Sequence, residues 1–474
     1  MPEFLLIYGQ VRSSVLVPLG ILIAILVTWH ALLSKRDVAS AVGWIGLAWF
    51  SPIFGGFVYF VFGVNRVQRR ALRLRPRGRR RRPRIHPPNP GDDIHLDPLQ
   101  RAIGRLTARP AEPGNGFAIF HNGDEAYPPM LAAIAAARTS VGLSSYIMDD
   151  DEAGRPFIDA LAAAKARGVE VRVLVDGVGS GWLNSPAYNG LTKLGVPAGR
   201  FMHSVLPWRM PFLNLRTHKK ILVVDGRIGF TGGMNIARDN VMALNPPAPV
   251  QDTHFRVEGP VVCQLVEGFA TDWEFVTEEA LGGEAWFPTL ESAGEAMARI
   301  ITSGPDQDLE KIEFAVLQAI ACAQQSIAIM TPYFLPDERL ITALSLAALR
   351  GVIVDIVIPQ QSDHRLVDWA TRANIGPLLT DGCRIWLCPP PFRHSKMMVV
   401  DEEWCLIGSS NWDMRSFRLN FELCMEVYDR GLAEKLTALM ERSRGTALVQ
   451  AALTGRRLPV RLRDAACRLM LPYL

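Results

Sequence analysis

The sequence predicts an α/β protein built from two copies of one structural plan and preceded by a helical hairpin that crosses a membrane. Three observations carry this. Two long apolar stretches open the chain. From about residue 117 strand-like runs alternate with helical ones, twice over. One motif then occurs once in each copy with the same internal spacing. The 474 residues suffice for two or three domains with cores of their own.

The apolar stretches run from Val15 to Leu33 and from Ala39 to Phe62, each close to the ~20 residues a helix needs to cross a bilayer. The first carries no charge, lacks a basic region ahead of it and has no small-residue cleavage site after it, so a removable signal peptide is a poor match. Ser34 to Val38 is a tight turn between the two, and Trp44, Trp49, Tyr59 and Phe62 are suited to the membrane interfaces. Eleven arginines and no acidic residue follow in Arg66 to Arg84. Such a collar marks the cytoplasmic side, placing both termini there, and attracts anionic lipid at about 1 kcal/mol per residue near the surface. Subtracting those eleven from the formal +4 leaves about −7 on the rest of the chain, which argues against a nucleic-acid-binding body. Pro83 to Gly116 reads as a linker rich in Pro, Gly and Asp. The seven cysteines are scattered without Cys-x-x-Cys pairs or Cys/His clusters, which predicts reduced thiols, a reducing compartment and no metal site. The predicted domains are the hairpin 1–65, the collar and linker 66–116, and two repeats, 117–295 and 296–474.

In the first repeat a helical pattern, Met130 to Arg138, leads to a strand, Ser140 to Met148; a helix, Arg155 to Arg167, leads to the strand Val169 to Val175. In the second, Ile312 to Gln325 precedes Ser326 to Thr331, and Glu338 to Arg350 precedes Val352 to Ile358. Each repeat ends in the motif. The first copy is His218-Lys219-Lys220-Ile221-Leu222-Val223-Val224-Asp225, followed by Gly232-Gly233-Met234-Asn235. The second is His394-Ser395-Lys396-Met397-Met398-Val399-Val400-Asp401, followed by Gly408-Ser409-Ser410-Asn411. On a strand, residues two apart share a face, so each His projects beside its Lys, His218 with Lys220 and His394 with Lys396. Lysine as counter-charge, with Asn235, Asn411 and backbone around Gly232 and Ser409 as donors, can hold a phosphate. Two histidines at one phosphorus suit a two-step displacement: one imidazole attacks, the other donates a proton to the leaving alkoxide and later accepts one from the incoming hydroxyl. Neither a metal nor a cofactor is needed. No phosphate-binding loop, dinucleotide fingerprint or His-Glu-x-x-His stretch competes with this reading.

At these residues the chain resembles the phospholipase D superfamily, and more closely the bacterial cardiolipin synthases. The resemblance spans nearly the whole chain: Tyr59 to Gly63, Pro211 to Arg216, Asp252-Thr253-His254, Thr331 to Phe334, Ser362 to Arg365, and Asp413 to Phe417 continuing through Asn420-Phe421-Glu422. It implies two phospholipase D-like repeats packed as a pseudo-two-fold pair in a bacterial inner membrane protein. It also implies transfer of a phosphatidyl group from one phosphatidylglycerol to another, through a phosphohistidine, giving cardiolipin and glycerol. By the same analogy His218 is the nucleophile and His394 the acid/base, while Lys220, Lys396, Asn235 and Asn411 bind phosphate. Asp225 and Asp401 belong to the motif but tend to be structural in the family. Asp252 is expected to orient His218, and Glu422, twenty-eight residues past His394, to orient His394. The implied partners are phosphatidylglycerol, other anionic phospholipids and a membrane, with no nucleic acid. Motifs alone leave a hydrolase of phospholipids, with water as acceptor, as the rival, and a membrane-tethered nuclease behind it.

Two flanking segments are ambiguous between membrane contact and ordinary packing. His203 to Arg216 mixes Leu206, Trp208, Met210, Phe212 and Leu213 with arginines, and Leu458 to Leu474 places Arg461, Arg463 and Arg468 among apolar residues as a basic amphipathic tail.

Overall fold

The computed structural model describes residues 15–35, 38–63, 96–203, 215–306 and 308–471. The arginine collar and residues 204–214 of the segment before the first motif lie outside them. The chain divides into two units, one ending at Arg73 and one from Leu74 onward.

In the first unit, Val17–Ser34 is a helix of 18 residues and, among the described residues, the one helix long and apolar enough to cross a membrane. Small residues Ala24 and Ala31 face Ala48 and Tyr59 in a buried cluster, and the Tyr59 hydroxyl meets His30 Nδ1 at 2.7 Å. The expected second span is not one helix. It breaks at Ser51 into Val38–Phe50 and Pro52–Val58. Pro52 lacks an N–H, and its ring cannot follow a continuous helical turn. The 13 residues of Val38–Phe50 rise ~20 Å, short of a ~30 Å hydrocarbon core.

The second unit is the α/β body. The first repeat supplies β1 (Glu112–His121), β2 (Ser140–Ser145), β3 (Glu170–Asp176), β4 (Ala198–Phe201), β5 (Ile221–Val224), β6 (Ile228–Gly232) and β7 (Thr253–Glu258). The second supplies β8 (Ala296–Ser303), β9 (Ser326–Met330), β10 (Ile353–Pro359), β11 (Arg384–Cys388), β12 (Met397–Val400), β13 (Trp404–Gly408) and β14 (Glu422–Tyr428), with β15 (Thr446–Leu448) added at the edge. The strand order is β1-β7-β6-β5-β2-β3-β4 in one repeat and β8-β14-β13-β12-β9-β10-β11 in the other, the same order displaced by seven strands. The two halves join where β1 pairs β8 antiparallel, Glu112 opposite Ala298. Strands β2, β3 and β4 are parallel, connected through the helices Arg155–Ala166 and Pro186–Lys193, while β5, β6 and β7 form an antiparallel meander. The second repeat repeats both features.

Three cores result. One lies on the outer face of each repeat, and the third is shared. Ile221 and Val223 of β5 and Val257 of β7 lie in that shared core with Met397 and Val399 of β12 and Val427 of β14. Each fully buried side chain of this kind contributes about 1.5–3 kcal/mol, so the shared core helps hold the two repeats together.

The linker expectation fails for its second half. Asp97–Thr107 is a helix and Glu112 opens β1. Leu99 and Ile103 of that helix are buried with Ile312 and Val316 of the second repeat. Arg299 ties this region together, ion-paired to Glu426 and donating to the carbonyls of Arg109 and Gln100. At the other end, Leu458–Arg468 packs on the helix Arg365–Asn374: Asp464 and Cys467 are buried, and the Arg463 guanidinium lies 4.0 Å from the Trp369 ring.

Candidate active site

The strands that carry the two motifs meet at one cleft, because the segment entering each motif pairs with the residues just before the last strand of the other repeat. His218 N–H donates to the carbonyl of Phe421, and Phe421 N–H donates to that of Arg216. Reciprocally, His394 N–H donates to the carbonyl of Gln251, and Phe392–Arg393 pairs in parallel with Val250–Gln251. Thr253 and Ser395 hydroxyls meet at 2.9 Å. The imidazoles of His218 and His394 therefore face one another, ring centroids 6.4 Å apart and nearly perpendicular.

The orienting acids are crossed relative to expectation. Glu422 Oε2 lies 3.1 Å from His218 Nδ1, and Asp252 Oδ2 lies 2.8 Å from His394 Nδ1. Each acid serves the histidine of the other repeat. The cause is topological: Asp252 directly precedes β7 and Glu422 begins β14, and each follows the backbone that pairs with the opposite motif strand. His218 Nδ1 also faces the carbonyl of Ser409 at 2.9 Å. With Nδ1 engaged in both rings, Nε2 is the nitrogen left to act at phosphorus.

Lys220 Nζ and Lys396 Nζ each donate to the carbonyl of their own histidine, at 2.7 and 2.6 Å, and Lys396 Nζ also lies 3.0 Å from His394 Nε2. Asn235 is pinned through Oδ1, which accepts from Ile147 N–H at 3.2 Å, so its amide NH2 remains for the cleft. Asn235 and Asn411 both line a cavity of about 650 Å³ that contains both histidines.

Three expected site residues have other work. The Asp225 carboxylate accepts from the N–H groups of Arg138, Thr139 and Ser140, and Asp401 from those of Gln324, Gln325 and Ser326. Both sit at positive φ, 53° and 52°, at the far end of the motif strand from its histidine, where they cap the helix-to-strand junction entering β2 or β9. Ser409 donates its hydroxyl to Glu422 at 2.5 Å and so positions that acid instead of facing the cleft. Gly232, like Gly408, is held at φ near +150°, where an added Cβ would meet the neighbouring strand at 2.7 Å or less. Gly233, where the second repeat has Ser409, leaves room for an acid: a Cβ there would lie 2.6 Å from Asp252 Oδ1.

Burial sets the electrostatics. It pushes the His218 imidazolium well below the ordinary value, reinforced by Lys220 and Lys396. His394 is also lowered by burial and by Lys396, but its bond to Asp252 opposes this. Burial alone would raise Asp252, yet its hydrogen bond to His394 and the charge on Lys396 hold it below the usual carboxylate value. Glu422 goes the other way, raised by burial to about 7 against the pull of Lys220. Lys220 is lowered to about 7 and Lys396 to about 8, mainly by burial. The two halves of the site are thus chemically unequal. His218 is the imidazole kept neutral, and His394 faces an ionised carboxylate that stabilises its charged form.

Sequence reasoning missed the aromatic walls. Tyr146 stands edge-on to His218 at 5.0 Å, with Lys220 Nζ 5.3 Å from its ring centre; Tyr333 takes the matching place beside His394 at 6.2 Å and donates to Asp363 at 2.6 Å. Tyr146 directly follows β2 and Tyr333 lies three residues past β9, each of these strands pairing with a motif strand.

A family model described as "Cardiolipin synthase, PLD-like domain" matches residues 130–273 and 316–444. The major cardiolipin synthase of Bacillus subtilis is 32% identical over 98% of this chain and 99% of its own length. A cardiolipin synthase of Staphylococcus aureus is 33% identical over 76% of this chain and 74% of its own. Among solved structures, a phosphatidylserine synthase from Haemophilus influenzae superposes with a TM-score of 0.61 at 15% identity, covering 79% of this chain and all of that one, which is a likeness of fold.

Proposed function

Since the chain belongs to the cardiolipin synthase family with phospholipase D-like domains, we propose that it joins two phosphatidylglycerol molecules into cardiolipin, releasing glycerol. The observation that carries this reading is the reciprocal pair of acid-oriented histidines, each with its lysine, meeting across one cavity that both repeats line.

His218 Nε2, neutral because burial and two lysines disfavour its charge, attacks the donor phosphorus. His394, in the protonated form that its bond to Asp252 favours against the effect of burial, gives its proton to the departing glycerol oxygen. The product is a phosphatidyl group on His218. An acceptor hydroxyl then loses its proton to His394 as its oxygen bonds to phosphorus and the bond to His218 breaks. Lys220, Lys396 and the amides of Asn235 and Asn411 balance the charge on the phosphoryl oxygens.

The substrates are membrane lipids, and the chain carries the means to stay with them. The apolar helix Val17–Ser34 anchors it, the shorter apolar helix and its aromatic residues complete a hairpin in the bilayer, and the collar Arg66 to Arg84 fixes the cytoplasmic side. The C-terminal helix leaves Leu458, Leu462 and Leu469 at least 60% exposed, with Arg457, Arg461 and Arg468 around them, a face suited to an anionic surface.

The test is to incubate the full chain with phosphatidylglycerol vesicles and measure glycerol and lipid products together. One glycerol per cardiolipin supports the proposal. Phosphatidic acid as the product, with water as acceptor, would make the protein a hydrolase instead.

A further inference from the structure

The pseudo-two-fold relation that matches His218 with His394 breaks down at two positions of the cavity wall. Two residues before the histidine, the first repeat has Arg216 and the second has Phe392; four residues after the motif asparagine, the second has Arg415 and the first has Asp239. All four line the same cavity. The crossed pairing decides how they group. Arg216 belongs to the strand segment paired with Phe421, in the stretch that follows Arg415, while Phe392 pairs with Val250, in the stretch that follows Asp239. One end of the cavity therefore gathers two guanidinium groups, and the other an aromatic ring and a carboxylate.

The carboxylates near the cationic end are engaged with backbone donors: Asp413, which lines the same cavity and senses the charge of Arg415, accepts from Ser416 N–H. The nearest carboxylate to Arg216, Asp176, stands 3.9 Å from its Nε and already accepts from the N–H groups of Val178, Gly179 and Thr217. Among the described residues Arg415 enters no ion pair. Burial disfavours the charge on Arg216, Asp176 and Tyr146 support it, and the neighbouring Arg415 works against it. The charges of both reach the Tyr146 hydroxyl, next to His218. Two like charges converging on a half-buried wall call for an anion between them, and planar guanidinium groups suit phosphate oxygens.

The lysines and asparagines at the two histidines already provide for the phosphorus that reacts. We infer that Arg216 and Arg415 form a second anion subsite, which takes the unreacting phosphodiester of the acceptor phospholipid. The inference rests on the transferase reading and deepens it. The donor step needs one phosphate site. In the acceptor step the attacking hydroxyl sits on a glycerol whose other end carries a phosphodiester, so a second phosphate must lie within one glycerol length of the first. An enzyme with such a subsite prefers a phospholipid hydroxyl to water or a small neutral alcohol.

The experiment uses the full chain in phosphatidylglycerol vesicles and follows two reactions in the same tube. Exchange of labelled free glycerol into phosphatidylglycerol uses the phosphatidyl-enzyme with a neutral acceptor; cardiolipin formation uses it with an anionic one. Arg415→Gln and Arg216→Gln are each expected to lower the ratio of cardiolipin formation to glycerol exchange at least tenfold, and Arg415→Lys, which keeps the charge, to restore part of it. The exchange reaction reports whether each variant is folded. Parallel loss of both reactions, or an unchanged ratio, would overturn the subsite while leaving the transferase reading in place. Wild-type protein that performs neither reaction would overturn both.

Discussion

Replacing Asp252 by Asn tests the crossing of the two halves of the site, because the consequences differ by step. Asp252 Oδ2 lies 2.8 Å from His394 Nδ1, and both groups are buried. A buried hydrogen bond to a charged group contributes about 1.5–3 kcal/mol, or roughly 10–100-fold at 1.4 kcal/mol per factor of ten. The full general acid–base contribution of about 10²–10⁴-fold sets the upper limit. Asp252→Asn should therefore lower the release of glycerol from phosphatidylglycerol about 10²-fold. An aryl phosphodiester, whose leaving group needs no proton, bypasses the acid, and with it the deficit should shrink below about tenfold. Glu422→Gln acts on His218, the attacking group, so its deficit should persist with either substrate. Stopped-flow release of the aryl alcohol and a discontinuous glycerol assay give both numbers. Recovery in Glu422→Gln but not in Asp252→Asn would refute the crossed assignment and return each acid to the histidine of its own repeat.

Gly233→Ala should leave the fold intact by circular dichroism yet reduce turnover roughly 10–100-fold, because its Cβ would stand 2.6 Å from Asp252 Oδ1 and move that acid off His394. Activity should fall as pH rises past about 8, where Lys396, lowered to about 8, and Lys220, lowered to about 7, have lost the charges that balance phosphate; a rate still rising at pH 9 would count against their role. Stability has its own pH signature. Glu422 is raised from 4.5 to about 7, so its protonated form contributes stability that is full below pH 4.5 and lost as pH rises through about 7. Urea titrations of Glu422→Gln, which cannot titrate, should show a flatter dependence across that window. In the C-terminal helix, Leu458→Asp and Leu462→Asp alter side chains 65% and 60% exposed, so they should weaken binding to anionic vesicles without shifting Tm. Loss of Tm instead would mean that face packs on protein.

Much of this architecture can be read from residue order, and the failures have physical causes. The apolar tetrads Ile221–Val224 and Met397–Val400, each set between a His-x-Lys and an Asp, specify buried strands, and helix-then-strand periodicity places β2, β3, β9 and β10 within a few residues. The structural role of Asp225 and Asp401 follows from their place at a turn. The crossing of Asp252 and Glu422 does not, because sequence distance ranks a residue's own repeat first whereas the contact is made across the pseudo-two-fold. The helix Asp97–Thr107 was hidden behind a Pro-rich stretch, although Leu99, Ile103 and Leu106 recur at helical spacing after Asp97-Pro98. Pro52 was the warning that the second apolar segment would break. The role of Ser409 could not be foreseen, since only the fold brings its hydroxyl to Glu422.

The most direct test of the central claim is to quench the enzyme during turnover of phosphatidylglycerol labelled at phosphorus and map the label under conditions that preserve phosphohistidine. Label is expected on His218, lost in His218→Ala and, with an aryl leaving group, still formed in His394→Ala. Label on His394 would reverse the two roles. Turnover to cardiolipin with no label on either histidine would contradict the covalent mechanism itself.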